Sequence, residues 1–416
     1  MITQEDRIKA IEESIETGER KSINYQHDFT PRPVKRIPLQ YLLYNPHNGR
    51  IRSYTKSYET QFQELNPENE NDKLIIEQYL YDSATAKNEK TLESLEKNGQ
   101  QEVGIVTIDG LIIDGNRRAM LLNKLSAKQN ITGYFNAVVL PNKLSDNEKE
   151  IVTLETRYQM GVDSKVDYNP IEKYIRCQEL QNRHGFSVED ISKVMAEEKP
   201  RIEEWLKILD LMDDYLSFLG TPGYYTRLEK REGHFVDLNN YLKSYKKSQS
   251  SARWDFTNDD ILELKNVYFS YIRLGIPVQR ARIIGKPTSS NSFFCHRKIW
   301  EDFISDYNTT IKSFDEPSFD KIKLEEPTKS HEDIIRDIDT NWKKHVEGSM
   351  LEDLSYSEGV LKDLLELHAP IRILKRVINS LGQINSENLI HSNKNDIESL
   401  LNQIIKKVEA LKNIIS

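Results

Sequence analysis

Leu111-Ile112-Ile113-Asp114-Gly115-Asn116-Arg117-Arg118-Ala119-Met120-Leu121-Leu122 decides how the first half of this chain folds. The run opens on β-formers and closes on residues that favour helix, with Met120, Leu121, Leu122 and Leu125 available to a core over residues 119–127. Just upstream, residues 103–107 form a second β-branched run, separated from 111–113 by Asp109-Gly110, a strong hairpin signal. Gly115 to Arg118 therefore sit where a strand turns into a helix. Such a turn exposes the first unpaired N–H groups of the helix, and with the macrodipole these make an anion site. Glycine lets backbone approach a phosphate closely, and two arginines add planar donor forks that match its oxygens. Neighbours on a helix do not share a face, so Arg117 and Arg118 divide the work. The same four residues also describe a solvated helix start with two surface arginines.

Working outward, Thr3-Gln4-Glu5-Asp6 has the capping-box pattern of a helix start, with Ile8, Ile11 and Ile15 on one face, and residues 1–33 read as a helical appendage. Arg36-Ile37-Pro38-Leu39 is strand-like, and Asn45-Pro46-His47-Asn48-Gly49-Arg50 breaks regular structure. Two helices are expected over 73–98, and a β-rich stretch over 134–140 closes an α+β unit spanning 34–142. From Asp146 onward the pattern is helical. Asn169-Pro170-Ile171-Glu172 starts one helix, with Asn as N-cap and Pro in the first turn. Ser187-Val188-Glu189-Asp190 starts a short one, and Pro200 opens another through Ile202, Trp205, Leu206 and Leu209, together the outline of a helix-turn-helix within residues 143–220. A basic helical region is expected over 221–316, and Glu316-Pro317 through Pro327-Thr328 reads as a linker into a C-terminal helical region, 317–416. There Ile397, Leu401, Ile404, Val408, Leu411 and Ile415 alternate at four and three spacings. That seam suits dimerisation or packing within a bundle.

The composition narrows the classes. A chain of 416 residues is long for one core, and 37% hydrophobic with 30% charged residues predicts a folded, soluble, cytoplasmic protein with no membrane segment and no signal peptide. Cys177 and Cys295 stand far apart and offer no metal-ligand spacing. The net charge of −8 argues against a surface that coats nucleic acid throughout, yet residues 221–300 hold fourteen Lys plus Arg against seven Asp plus Glu.

Several of these segments, in order, resemble the ParB/sulfiredoxin superfamily, and ParB-like partition proteins in particular, over residues 34–212. The 36–39 strand and the Asn45–Arg50 loop are similar to the family's opening strand and Asn-Pro-x-x-x-Arg loop. Asn98-Gly99-Gln100-Gln101-Glu102 resembles its approach to the central strands, without the usual proline. Gly115-Asn116-Arg117-Arg118-Ala119 stands where the family has its phosphate-binding Gly-Glu-Arg-Arg motif, Leu154-Glu155-Thr156-Arg157 resembles the start of its Glu-Asn-x-x-Arg segment with Thr156 replacing the amide, and Tyr168-Asn169-Pro170-Ile171-Glu172 matches its Leu-Asn-Pro-Ile-Glu. Residues 185–209 are similar to its helix-turn-helix. Sulfiredoxin itself is disfavoured, because position 116 is Asn and its nucleophilic cysteine motif is absent.

The resemblance implies an α+β ParB/sulfiredoxin-like N-terminal domain followed by all-α helix-turn-helix and C-terminal helical regions. It further implies a nucleotide, CTP or ATP, bound by Gly115, Asn116, Arg117, Arg118, Arg50, Glu155, Thr156 and Asn169, with Glu155 placing Mg2+, and a homodimer acting on DNA. Candidate DNA contacts are Lys199, Arg201 and Lys207 in the helix-turn-helix and Lys246, Lys247 and Arg253 downstream, where Tyr224, Tyr225, Tyr245 and Trp254 interleave cations with aromatics. Glu197, Glu198, Glu203 and Glu204 at the start of the second helix oppose a polyanion, which keeps a protein partner open for that face. Two alternatives remain: a nuclease or NTPase built on Asp114, Glu155 and a divalent ion, and a helical adaptor with a degenerate nucleotide site.

Overall fold

The chain is described here from a computed structural model over residues 2–160, 169–288, 291–384 and 394–415; Tyr168, Ser289 and Ser290 lie outside the described residues. Helix α1 (Gln4–Glu12) carries the expected capping box between Thr3 and Asp6. The chain then enters β1 (Ile15–Ser22), which pairs antiparallel with β2 (Pro31–Pro38). The segment expected as a helical appendage over 1–33 thus contributes an edge strand, Ile15–Ser22, and the start of β2 to the sheet. Ile15 belongs to that strand and not to a helical face. β1 is almost wholly exposed, so no apolar periodicity announces it; main-chain pairing along an edge holds it in place.

After α2 (Arg52–Glu59), α3 (Glu70–Asp82) and α4 (Thr85–Asn98) come β3 (Gly104–Val106) and β4 (Ile112–Asp114), the expected hairpin, with Gly110 at φ +94° in its turn. Helix α5 (Asn116–Gln129) then crosses to β5 (Tyr134–Val139), which pairs parallel with β3 and antiparallel with β2, giving the order β1-β2-β5-β3-β4. Alternation puts the two faces of the sheet in different cores. Phe135 and Ala137 pack with Ile76, Leu80, Met120 and Leu121 on the side of α3 and α5, while Val138 packs with Ile105, Ile113, Ile151 and Leu154 on the side of α6 (Glu148–Met160).

The rest is helical: α7 (Pro170–Asn182), α8 (Val188–Met195), α9 (Lys199–Phe218), α10 (Glu232–Lys246), α11 (Asn258–Leu274), α12 (Val278–Gly285), α13 (Arg297–Lys312), α14 (Phe319–Glu325) and α15 (His331–Leu367). Asn169 caps α7 and Ser187 caps α8 through a capping box, as expected. One hydrophobic cluster runs from Val152 through Trp205, Phe269 and Phe303 to Leu361, crossing the boundaries expected at 220/221 and 316/317. The 317–328 linker contains the short helix α14. Beyond it, α16 (Ala369–Gly382) and α17 (Lys394–Ile415) contribute no buried residue among those described. Among the described residues no helix is long and apolar enough to cross a membrane.

Candidate functional site

Gly115 is the N-cap of α5 and takes φ +100°, a conformation that L side chains rarely adopt. A Cβ there would come within 2.7 Å of the Phe135 ring, so the turn is tight against β5 as well as left-handed. This geometry points the first turn of α5 at a cavity of about 170 Å³ lined by Asn48, Arg50, Asp114, Gly115, Arg117 and Arg118, among others. Three arginines from two distant segments therefore converge on one small space at a helix N-terminus. Arg118 is fixed by donating from Nη1 to the Glu102 carbonyl at 2.6 Å, and its burial lowers its proton affinity, opposed by the nearby Asp114 carboxylate. An oxyanion placed there meets dipole and charge together.

The loop that brings in Arg50 is held from below. Asn45 N–H donates to Asn116 Oδ1 at 2.8 Å, and Asn116 Nδ2 donates to the Ile112 carbonyl at 2.9 Å. Asn45 Nδ2 donates to Glu155 Oε1 at 2.8 Å, and Gly49 N–H donates to Gln159 Oε1 at 2.9 Å. Gln159 Nε2 in turn donates to Glu155 Oε1 at 3.0 Å, one helical turn away. Arg176 of α7 closes the network, donating from Nη2 to Glu155 Oε2 at 2.9 Å and from Nε to Thr156 Oγ1 at 2.8 Å. Glu155 is fully enclosed; burial pushes its carboxyl up, and the Arg176 guanidinium and the Gln159 amide oppose that.

This arrangement sorts the expected site residues. Gly115, Arg117, Arg118 and Arg50 share the cavity. Asn116 also borders it, but its side chain is buried and spent on Asn45 and Ile112. Glu155 and Thr156 lie beneath the loop and do not line the cavity. Both Glu155 oxygens are engaged by Asn45, Gln159 and Arg176, so the residues present do not fit a magnesium ion held by Glu155. The donor set matches phosphate instead, with Asp114 the one carboxylate in the lining. A nuclease centre shared by Asp114 and Glu155 loses its basis for the same reason. Asn169 is also elsewhere: it caps α7, accepting from Ile171 N–H at 3.1 Å, beside Ser53 and Glu229. Gln159 and Arg176 were missed. Gln159 stands four residues after Glu155 on the same helical face, a usable signal, whereas Arg176 comes from another helix and carried none.

The sheet region and the helical core meet at α2 and α7. Arg52 Nε donates to Glu179 and Nη1 to Glu59, while the Glu172 carboxylate accepts from both Ser53 N–H and the Ser53 hydroxyl. Burial raises Glu172 to about 7.

The basic stretch takes a different form from the one expected. Tyr224, Tyr225 and Tyr245 are buried, and Trp254 donates its Nε1–H to the Phe294 carbonyl at 2.9 Å, so these rings serve the core and offer no stacking platform. The arginines around them are largely paired: Arg227 and Arg273 with Asp339, Arg280 with Glu358, and Arg282 with Asp237. The acidic face of α15 supplies two of those partners. Lys246, Lys247 and Arg253 remain exposed, as do Lys199, Arg201 and Lys207 on α9, although Arg201 lies 3.6 Å from Glu204.

No family model matches the chain, and no curated protein matches it. Among solved structures it is similar to the C-terminally truncated chromosome-partitioning protein ParB from Caulobacter crescentus complexed to the centromeric parS site, at 13% identity over 61% of this chain and 98% of that one, with a TM-score of 0.30. The same protein complexed with CTP-gamma-S is similar at 14% identity over 50% of this chain and 92% of that one, with a TM-score of 0.18.

Proposed function

We propose that this chain binds a nucleoside triphosphate, CTP or ATP, by its phosphates at the Gly115 turn, and that the nucleotide gates DNA binding by the helical region. The observation that carries this is the convergence of Arg50, Arg117 and Arg118 on one cavity at the N-terminus of α5. A volume of about 170 Å³ suits phosphate groups more than a whole nucleotide, so the nucleoside projects outward. Glu155 acts as a positioning residue, holding through Asn45 and Gln159 the loop that carries Arg50. Gating needs a difference in phosphate contact between two arrangements of the chain, and the polar seam at α2 and α7 is where the sheet region and helical core can shift against each other.

DNA contact runs over Lys246, Lys247 and Arg253, with Lys199, Arg201 and Lys207 of the α8–α9 pair as flanking contacts. The four glutamates near the start of α9 weaken base reading through that helix. The active form is a homodimer, joined by the exposed apolar faces of α16 and α17.

Calorimetric titration of the full chain with CTP, ATP and GTP in magnesium buffer tests the proposal, with and without duplex DNA and beside Arg117→Ala. Binding of one nucleotide that the variant abolishes, and a change in it on adding DNA, is the expected result. Nucleotide binding unaffected by Arg117→Ala overturns the site, and DNA binding independent of nucleotide overturns the gate.

A further inference from the structure

A second cavity, about 730 Å³ in volume, lies where α2 and α3 meet residues 224–231, the end of α11 and the first turns of α15. It shares no lining residue with the cavity at Gly115. Tyr54 and Tyr79 form part of its wall, their ring centroids 5.5 Å apart and their planes tilted by 31°.

Three arginines border the same space. Arg227 Nη2 donates to Asp339 Oδ1 at 2.6 Å, Arg273 Nε donates to the same oxygen at 2.9 Å, and Arg273 also pairs with Glu316. Arg231 differs. Its Nη1 donates to the Tyr215 hydroxyl at 2.6 Å, and among the described residues no carboxylate pairs with it. Of the three guanidinium groups, Arg227 and Arg273 thus have carboxylate partners and Arg231 has none among the described residues. Tyr224 lines the cavity too; it is 5% exposed, and among the described residues its buried hydroxyl has no hydrogen-bond partner. Arg336 stands on the rim, with a side chain 71% exposed.

A buried donor without an acceptor and a guanidinium without a counter-charge are both costly to leave dry, and an oxyanion answers both. A tyrosine pair offers a flat apolar surface to an aromatic ring. Asp82 and Glu332, also in the lining, offer acceptors for hydroxyl or amino groups. The volume is in the range of sites for cofactor-sized ligands. We propose that this cavity is a separate binding site for a nucleotide-class ligand, with its phosphate toward Arg231 and Tyr224 and its base against Tyr54 and Tyr79. Because the walls come from the sheet region and from the helical core, α15 included, a bound ligand braces the two together.

The test is calorimetry on the full chain and on Arg117→Ala, Arg231→Gln and Arg336→Gln, with ATP, CTP, GTP, pyrophosphate and inorganic phosphate as probes. Expected is a nucleotide-binding event that survives Arg117→Ala, is lost in Arg231→Gln and weakens about tenfold in Arg336→Gln, the loss of one charge-assisted contact. Arg336 is exposed, so its variant carries the test if Arg231→Gln does not fold. A single event abolished by Arg117→Ala overturns this site and leaves the one at Gly115 standing. A single event that survives Arg117→Ala and is lost in Arg231→Gln does the reverse. Pyrophosphate or phosphate binding as tightly as the nucleotides overturns the assignment of ligand class, since the tyrosine wall then contributes nothing.

Discussion

The backbone N–H of Asn45 donates to the side-chain oxygen of Asn116 across seventy-one residues of sequence, at 2.8 Å and out of contact with solvent. That bond fastens the loop carrying Arg50 to the first residue of α5, so the position of one cavity-facing arginine depends on a residue that faces inward. Asn116→Ala removes the acceptor and leaves a buried donor unsatisfied, which costs about 1–3 kcal/mol. Urea unfolding should show that loss, and titration with nucleotide should show weaker binding although Arg50, Arg117 and Arg118 are intact. Unchanged affinity in a folded Asn116→Ala protein would separate the loop from the site.

Glu155 and Arg176 are a buried pair, their side chains 4% exposed each, and their worth is best measured by removing them singly and together. Glu155→Leu strands the guanidinium and is expected to cost about 3–5 kcal/mol, as breaking a buried pair from one side does. The double variant Glu155→Leu/Arg176→Leu leaves no orphaned charge and is expected to be more stable than Glu155→Leu alone. A double variant as unstable as the sum of the two singles would mean that the pair is not coupled.

The Glu172 carboxyl, raised to about 7 by burial, makes the joint between α2 and α7 sensitive to pH. Its folded value lies above the ordinary 4.5, so its contribution to stability is fully present below about pH 4.5. It is lost as pH rises toward 7 and changes no further above that. Ser53, whose N–H and hydroxyl both donate to it, and Arg52 oppose the shift, while Glu179 adds to it. The full shift corresponds to about 3 kcal/mol. Glu172→Gln is therefore expected to raise the melting temperature relative to wild type at pH 8 and to give little or no gain at pH 4.5. Parallel melting curves of the two proteins at both pH values would rule the titration out.

Helix α17 has Leu401, Val408 and Leu411 on one seam, each more than 40% exposed in the single chain. In the proposed homodimer a second copy covers this seam. Val408→Glu/Leu411→Glu places charge in that interface, and light scattering should then report the mass of one chain where wild type reports two. Identical masses for the two proteins would remove α17 as the dimer contact.

What the sequence by itself determined lies in local signals. The Asp109-Gly110 hairpin, the strand-to-helix turn at Gly115 and the caps at Thr3, Asn169 and Ser187 are each written in a few adjacent residues, because turn and cap geometry depends on the backbone of those residues alone. The heptad spacing of α17 was legible for the same reason. Tertiary structure decided the rest. β1 exists because β2 offers it a partner, and its own polar side chains gave no sign of that. Glu155 was recognisable as special, yet only Arg176, arriving on another helix, makes it an anchor under the loop. The arginines of the basic segment read as free positive charge until Asp339 and Glu358 of α15 neutralise them from far along the chain. Charge and burial are properties of what lies a few ångströms away in space, and one strand of text does not record that distance.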